Sequence, residues 1–408
     1  MDKNNKAAKI LKHDVPLRLV KVLNIFCLTI PFACCWYGYY AGKIENTFSR
    51  RENLLMIGLF MVVYFLFARV YSAFLVSVNR ISEMVYSQVL AALITDGISY
   101  LVIALLVRGF PNIILGLMAF AGQIFMSALW CFLAHHWYFR AFPPQKTLIV
   151  YDIRDGLESL INQYDLERKF HVCEIVQVKE CLEHLDKLDD METVFLSGIH
   201  SHDRNIILKY CIEKNVRVYV IPRVGDVLMS GATQVHLFHL PMLRIGRYEP
   251  NPEYLFFKRL FDLVMSVTGI VILSPIMLLT ALAIKLYDRG PVFYAQTRLT
   301  KDGKEFNVLK EDMTLVGPRP ERPSIAAEYE EEMPEFRLRL QAKAGLTGYA
   351  QVYGKYNTTP YDKLLMDLMY ISHPSLLEDL LIMFATVKIL FMPESTEGVE
   401  EGQITAKK

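Results

Sequence analysis

Apolar residues follow two different rhythms along this chain. In the first third they come in long runs, about Leu19–Tyr40, Leu54–Leu75, Val89–Val107 and Ile113–Ala134. Each is close to the ~20 residues that cross a ~30 Å hydrocarbon core, so residues 1–142 are predicted to form a four-helix transmembrane region. Beyond Pro143-Pro144 the runs shorten to TLIVYDI, VCEIVQV, VFLSGI and VRVYVIP, rich in β-branched residues. Helix-like segments such as LESLINQYDLERKF and RNIILKYCIEKN separate them. That alternation predicts a parallel α/β sheet, a Rossmann-like domain over 143–245. A polar linker, RIGRYEPNPEY, then leads into a third region, 251–408.

The third region opens with one more apolar run, Met265–Ile284, long enough to span. Ser274-Pro275 stands in its middle. Proline has no N–H and clashes with the carbonyl of Val271, so the helix bends or breaks there, and the serine hydroxyl can satisfy freed backbone groups. Basic residues flank both ends: Lys258 and Arg259 before, Lys285 and Arg289 after. The expectation is a re-entrant helix over 262–285 that returns to its own side; an ordinary fifth span with a proline kink is the alternative.

Charge adds an orientation. With both ends of the four-helix region inside, nine basic residues lie inside against four outside. The positive-inside rule then puts the N-terminal tail, the Rossmann-like domain and the C-terminal region in the cytoplasm. No cleavable signal peptide is evident. Over the whole chain 44 basic residues face 43 acidic ones, which gives no pull toward nucleic acid. The seven cysteines make no zinc spacing or disulfide framework and read as reduced packing residues. Asp96, inside the third run, is a functional candidate or a carboxylate bonded within the bundle. Arg69 can snorkel to the interface. The first turn of the α/β region, YDIRDG, lacks GxGxxG, so no dinucleotide site is supported. His200, His202 and Asp203 could hold a metal but read as a solvated loop.

The densest chemistry is FNVLKEDMTLVGPRPER, residues 306–322. Arg319, between Pro318 and Pro320, has little backbone freedom and a planar donor fork suited to phosphate; a structural salt bridge is the alternative. From Lys258 to about Met392 the chain resembles the bacterial sugar transferase family, polyprenyl-phosphate glycosyl-1-phosphate transferases. The matching strings are KRLFD, LSP, GPVFYAQTRL with DGKEFNVLK, DMTLVGPRP, AGLTGYAQVYGK, DLMYI and SLLEDLLIM, in that order. The four-span, Rossmann-like N-terminal layout looks like the large members that initiate exopolysaccharide, capsule or O-antigen repeat units.

The resemblance implies a fold: an α-helical membrane bundle, an α/β Rossmann-like domain and a monotopic, α-rich catalytic core with a re-entrant membrane helix. It implies a reaction, transfer of a sugar-1-phosphate from a UDP-sugar to undecaprenyl phosphate with Mg²⁺, and a place, the bacterial cytoplasmic membrane. The lipid bilayer is then a partner, and a second copy of the chain a candidate one. In the family an adjacent Asp-Glu pair in a DELPQ-like string supplies the nucleophilic Asp, which attacks the β-phosphate, and holds the metal. Here that string and the KFRSM-like string before it are absent. FNVLK runs directly into EDMTLVGPRP, a gap between Lys310 and Glu311, and Lys310 could match either of two family lysines. Glu311-Asp312 aligns with a Gly-Asp and is a poor substitute pair. Two readings follow: a sugar-phosphate transferase, or a disabled relative serving as a membrane scaffold or regulator.

By the same resemblance Lys310 would neutralise diphosphate, and Gln296 and Arg298 would line the substrate site or support it. Lys355 stands where relatives often have Arg, keeping charge but losing the bidentate fork. Ala344 replaces a usual Pro before Gly345, which bears on the rigidity of that loop. Asp367 fits a structural role. Ser375–Phe391 has helical spacing that suits either the membrane surface or a core helix.

Overall fold

The computed structural model describes residues 3–44, 49–287, 289–293, 296–307, 313–354 and 358–390. It falls into two compact units, 1–221 and 222–408.

In the first unit four long helices, α1 (Lys3–Gly38), α2 (Arg50–Val70), α3 (Ile81–Val107) and α4 (Ile113–Ala141), correspond to the four apolar runs. All four are long and apolar enough to cross a membrane. Their exposed surface is largely apolar, as in a bundle solvated by lipid. The bundle is closed by a polar knot to which each helix gives one side chain. Tyr64 Oη donates to Asn24 Oδ1 (2.9 Å), Asn24 Nδ2 to Gln88 Oε1 (3.0 Å) and Ser127 Oγ to the same Gln88 oxygen (2.9 Å). Gln88 Nε2 donates in turn to the carbonyl of Ala73 (3.3 Å). Asp96 Oδ1 accepts from Gln123 Nε2 on α4 (3.3 Å).

The α/β part follows: β1 (Gln145–Tyr151), α5 (Leu157–Gln163), β2 (Phe170–Gln177), α6 (Val178–Glu183), β3 (Thr193–Ser197), α7 (Ser201–Glu213) and β4 (Arg217–Val220). Its four strands are all parallel in the order β2-β1-β3-β4. Leu148, Val150, Val194, Leu196, Ile207 and Cys211 form its main core. Buried Cys181 and Cys211 are packing residues there, their thiols pushed up to about 11 by burial.

The second unit begins at Pro222, earlier than the boundary near 245 that the sequence pattern suggests. It opens with α8 (Val224–Ser230) and a two-stranded hairpin, β5 (Thr233–Leu237) and β6 (Leu240–Arg244). Val227 of α8 is buried in the C-terminal core with Leu364 and Leu368, and its carbonyl accepts from Ser372 Oγ (3.2 Å). Next comes α9 (Pro252–Tyr287), a fifth helix long and apolar enough to cross a membrane. Its 36 residues would run about 54 Å if straight. Asp262 alone among its residues is buried, so nearly the whole apolar surface lacks protein cover. The helix continues through Pro275, and Ser274 Oγ donates to the Val271 carbonyl (2.9 Å), the one that proline leaves without its helical partner.

Beyond α9 lie β7 (Thr297–Leu299), β8 (Glu305–Asn307), β9 (Met313–Val316), α10 (Pro323–Glu332), β10 (Ala344–Thr347), α11 (Tyr349–Tyr353), α12 (Pro360–Ser372) and α13 (Leu376–Leu390). β7 and β8 form an antiparallel ladder, β9 and β10 a short parallel one. The core gathers Val316, Phe336, Leu364, Leu365, Leu368, Tyr370 and Ile382.

Gln88 takes part in three of the four knot contacts. Gln88→Leu should lower the melting temperature in detergent by more than Asn24→Leu. The expected cost is on the order of 1–2 kcal/mol, the upper end for interhelical hydrogen bonds in membranes. Equal melting of parent and Gln88→Leu would show that the knot does not close the bundle.

Candidate functional site

Two strands and their outgoing turns build the site. β9 leads into Gly317-Pro318-Arg319-Pro320, and β10 runs parallel beside it into Gly348. The turn after β9 bonds to β10: Gly317 N donates to the Thr347 carbonyl (2.9 Å) and Gly345 N to the Pro318 carbonyl (2.9 Å). This approach depends on glycine. A Cβ on Gly345 would collide with the Gly317 backbone nitrogen, and one on Gly348 with the Gly317 carbonyl. Ala344 has a use for its N–H: it donates to Thr300 Oγ1 (3.1 Å). A proline could not make that bond, so here a hydrogen bond supplies the restraint that a ring would give.

The Arg319 side chain is exposed and makes no hydrogen bond or ion pair among the described residues. The backbone that carries it is held before it by the Gly345 N–H on the Pro318 carbonyl and after it by two arginines. Arg339 Nη2 donates to the Arg319 carbonyl (2.8 Å), and Arg298 Nη1 to the Pro320 carbonyl (2.8 Å). Arg298 Nη2 also donates to Gln296 Oε1 (2.7 Å). Arg298 thus braces the loop, and Gln296 holds the Arg298 guanidinium. Lys310, Glu311, Asp312 and Lys355 lie outside the described residues.

Sequence reasoning missed Arg339. It is 3% exposed, its Nη2 lies 2.6 Å from Asp367 Oδ2, and its guanidinium stands 4.8 Å over the Phe336 ring. Glu321 Oε1 lies 3.5 Å from Nη1. Burial pushes the Asp367 carboxyl above the ordinary carboxylate range, and Arg339 opposes that shift. The one signal available was FRLRLQ just ahead of AGLTG, and nothing in that string separates the buried arginine, Arg339, from exposed Arg337.

A second set of bonds ties the root of α9 to β9. Lys258 Nζ donates to Asp379 Oδ2 (2.8 Å), the Val316 carbonyl (3.0 Å) and Tyr370 Oη (3.0 Å). Tyr254 and Tyr370 hydroxyls add bonds to the Asp379 oxygens at 2.9 and 2.7 Å. One turn further along α9, Asp262 accepts from Thr314 Oγ1 (2.5 Å) and Leu315 N (3.2 Å). KRLFD, DMTLVGPRP, AGLTG, DLMYI and SLLEDLLIM, scattered over more than a hundred residues, thereby meet in one core. The cavity beside the loop is about 10 Å³, room for one water rather than a nucleotide.

Comparison with known proteins agrees with this core. The family described as bacterial sugar transferase matches residues 253–310 and 306–393, two pieces that share 306–310. A UDP-N-acetylgalactosamine-undecaprenyl-phosphate N-acetylgalactosaminephosphotransferase of Aeromonas hydrophila is 29% identical over 232 residues, 45% of this chain and 54% of that protein. An undecaprenyl-phosphate glucose phosphotransferase of Komagataeibacter xylinus is 32% identical over 227 residues, 42% of each. A UDP-glucose:undecaprenyl-phosphate glucose-1-phosphate transferase of Caulobacter vibrioides is 31% identical over 189 residues, 34% of this chain and 71% of that protein. The chain spans about half the length of the first relatives it matches.

Removing one member of a buried ion pair strands the other. Arg339→Met and Asp367→Leu should each destabilise the second unit by roughly 3–5 kcal/mol, and the double variant by much less than the sum. Denaturant unfolding with a probe in this unit measures it; additive losses would mean the two groups do not act as a pair.

Proposed function

The chain belongs to the bacterial sugar transferase family, and from that premise we propose that its C-terminal unit is a sugar-1-phosphate transferase core whose substrates are a UDP-sugar and undecaprenyl phosphate. Arg319 carries the reading: an exposed guanidinium, unpaired among the described residues, on a loop whose carbonyls at 319 and 320 are pinned by Arg339 and Arg298. Such a fork on a held backbone can meet a diphosphate with two parallel N–H donors. The relatives' names supply the substrate class.

Transfer breaks the bond between the β-phosphorus and its bridging oxygen, and UMP leaves. The nucleophile for that step, by resemblance, is the Asp of the absent Asp-Glu string. The family match divides at 306–310, where FNVLK runs into EDMTLVGPRP, which supports a missing segment there. The buried carboxylates near the loop are already taken. Asp262, Asp367 and Asp379 are engaged by protein groups, and Glu321 faces Arg339. Mg²⁺ finds no fit either: no three His, Cys, Asp or Glu groups gather among the described residues. As its sequence stands, the chain grips the donor's phosphates and does not turn it over.

The membrane arrangement belongs to the same proposal. The protein lies in a bacterial cytoplasmic membrane, its α/β module and C-terminal unit face the cytoplasm, and α9 enters and turns back at Ser274-Pro275. A nucleotide donor is cytosolic, and basic residues at both ends of α9 favour one side for both.

Two measurements test these statements. Calorimetry with UMP should show binding that Arg319→Ala weakens about tenfold or more, since a charge-assisted contact contributes roughly 1.5–3 kcal/mol. Transfer from radiolabelled UDP-sugar to undecaprenyl phosphate should require restoration of a DELPQ-containing segment after Lys310. Turnover by the unrestored chain that Glu311→Ala or Asp312→Ala abolishes would make that pair catalytic instead. For topology, a cysteine placed at Arg322 should stay unlabelled by an impermeant reagent in intact cells. Labelling from outside would sink the re-entrant arrangement, and Pro275→Leu should favour a straight crossing.

A further inference from the structure

The α/β module lacks the glycine fingerprint for a pyrophosphate, yet its sheet has a place for a ligand. The order β2-β1-β3-β4 reverses between β1 and β3. In open parallel sheets ligands settle outside the carboxyl ends of the strands at such a reversal. A cavity of about 250 Å³ lies at the carboxyl end of β1. Ile149, Tyr151, Leu157 and Ile175 line it with apolar surface, and Asp155 and Glu158 bring carboxylates to it.

Ser197 of β3 and Gly198 after it stand beside two of the lining residues, Tyr151 and Arg154. Ser197 ends this strand opposite Tyr151 in the parallel register, on the same sheet face. It is 1% exposed and its hydroxyl has no hydrogen-bond partner among the described residues. A buried hydroxyl left without a partner costs about 1–3 kcal/mol and calls for an explanation. The next residue, Gly198, has φ +67°, and a Cβ there would lie 2.8 Å from Arg154 Cβ and 2.9 Å from Arg154 N. The turn after β3 therefore closes on the turn after β1 as tightly as a residue without a side chain permits.

We propose that the cavity at the carboxyl end of β1, beside β2 and the start of α5, binds a nucleoside, its base against Tyr151, Ile149 and Ile175 and its ribose diol donating to Asp155 or Glu158. Size and charge select this class. The volume falls below the roughly 300–1,000 Å³ of sites for larger ligands, which excludes a dinucleotide. Two carboxylates against the one guanidinium of Arg154 repel a pyrophosphate but accept readily from hydroxyls, the part an acidic residue plays toward ribose in related sheets. The site uses no residue of the C-terminal unit, so it would let a nucleoside report to the protein without occupying the transferase core.

Saturation-transfer NMR on the full chain in detergent, with adenosine and uridine as probes, tests this. One or both nucleosides should bind. Ile175→Trp should abolish binding by filling the cavity; Ile175 is 44% exposed, so the larger ring needs no room in the core. Asp155→Ala with Glu158→Ala, both exposed positions, should weaken binding about tenfold or more. Arg319→Ala should leave it unchanged, which separates this site from the phosphate loop. Binding of neither nucleoside, survival of binding in Ile175→Trp or in the double variant, loss in Arg319→Ala, or tighter binding of NADH than of either nucleoside would each overturn the proposal.

Discussion

The C-terminal unit depends on the surroundings of one ammonium group. Lys258 Nζ spends all three of its protons, on Asp379, Tyr370 and the Val316 carbonyl, and its side chain is only 12% exposed. A charge taken so far from water is tolerable when every donor is met and an opposite charge is adjacent. Here that condition joins four elements, α9, α12, α13 and β9, at one point. Asp262, a turn along α9, adds a second tie to β9. Because α9 is apolar on all sides, the bilayer sets its depth. The two ties convert that depth into the height of the loop after β9. This is the device that holds the loop of Arg319 at a fixed level relative to α9.

Rigidity of the loop comes from backbone chemistry more than from side-chain packing. Gly317, Gly345 and Gly348 let the turn after β9 bond to β10 at a separation that side chains would forbid. Arg339 and Arg298 then cap the carbonyls at 319 and 320. Where a proline would have stiffened β10, the Ala344 N–H reaches Thr300 instead. A hydrogen bond of this kind contributes about 1 kcal/mol net, comparable to the entropy a proline removes from the unfolded chain.

Much of the architecture was legible because it rests on periodicity. The long apolar runs are helices, the short β-branched runs are parallel strands, and family strings marked the C-terminal core. The polar knot of Asn24, Tyr64, Gln88 and Ser127 was not legible. Each is a single tolerated polar residue within an apolar run, and only packing brings the four together. The β5–β6 hairpin was missed for a different reason. Phe238 and His239 occupy its turn at φ +56° and +65°, where glycine or asparagine normally signals the bend. At the site, Arg319 could be named from its two prolines. Arg339 could not, because its burial depends on Asp367 and Phe336, which the sequence does not place beside it.

The bonds that shape the phosphate loop also bear on what the gap at Lys310 removes. They come from Lys258, Asp262, Arg298, Thr300, Arg339, Gly345, Thr347, Tyr370 and Asp379. All of these lie outside the junction where the family match divides. The loop therefore holds its shape through residues outside that junction. On the reading proposed above, recognition of phosphate and cleavage of the diphosphate belong to different parts of the core, and a deletion at this junction separates them. On the same reading, a scaffold that keeps the first and loses the second would still compete for donor, which is a sufficient physical basis for a regulatory relative.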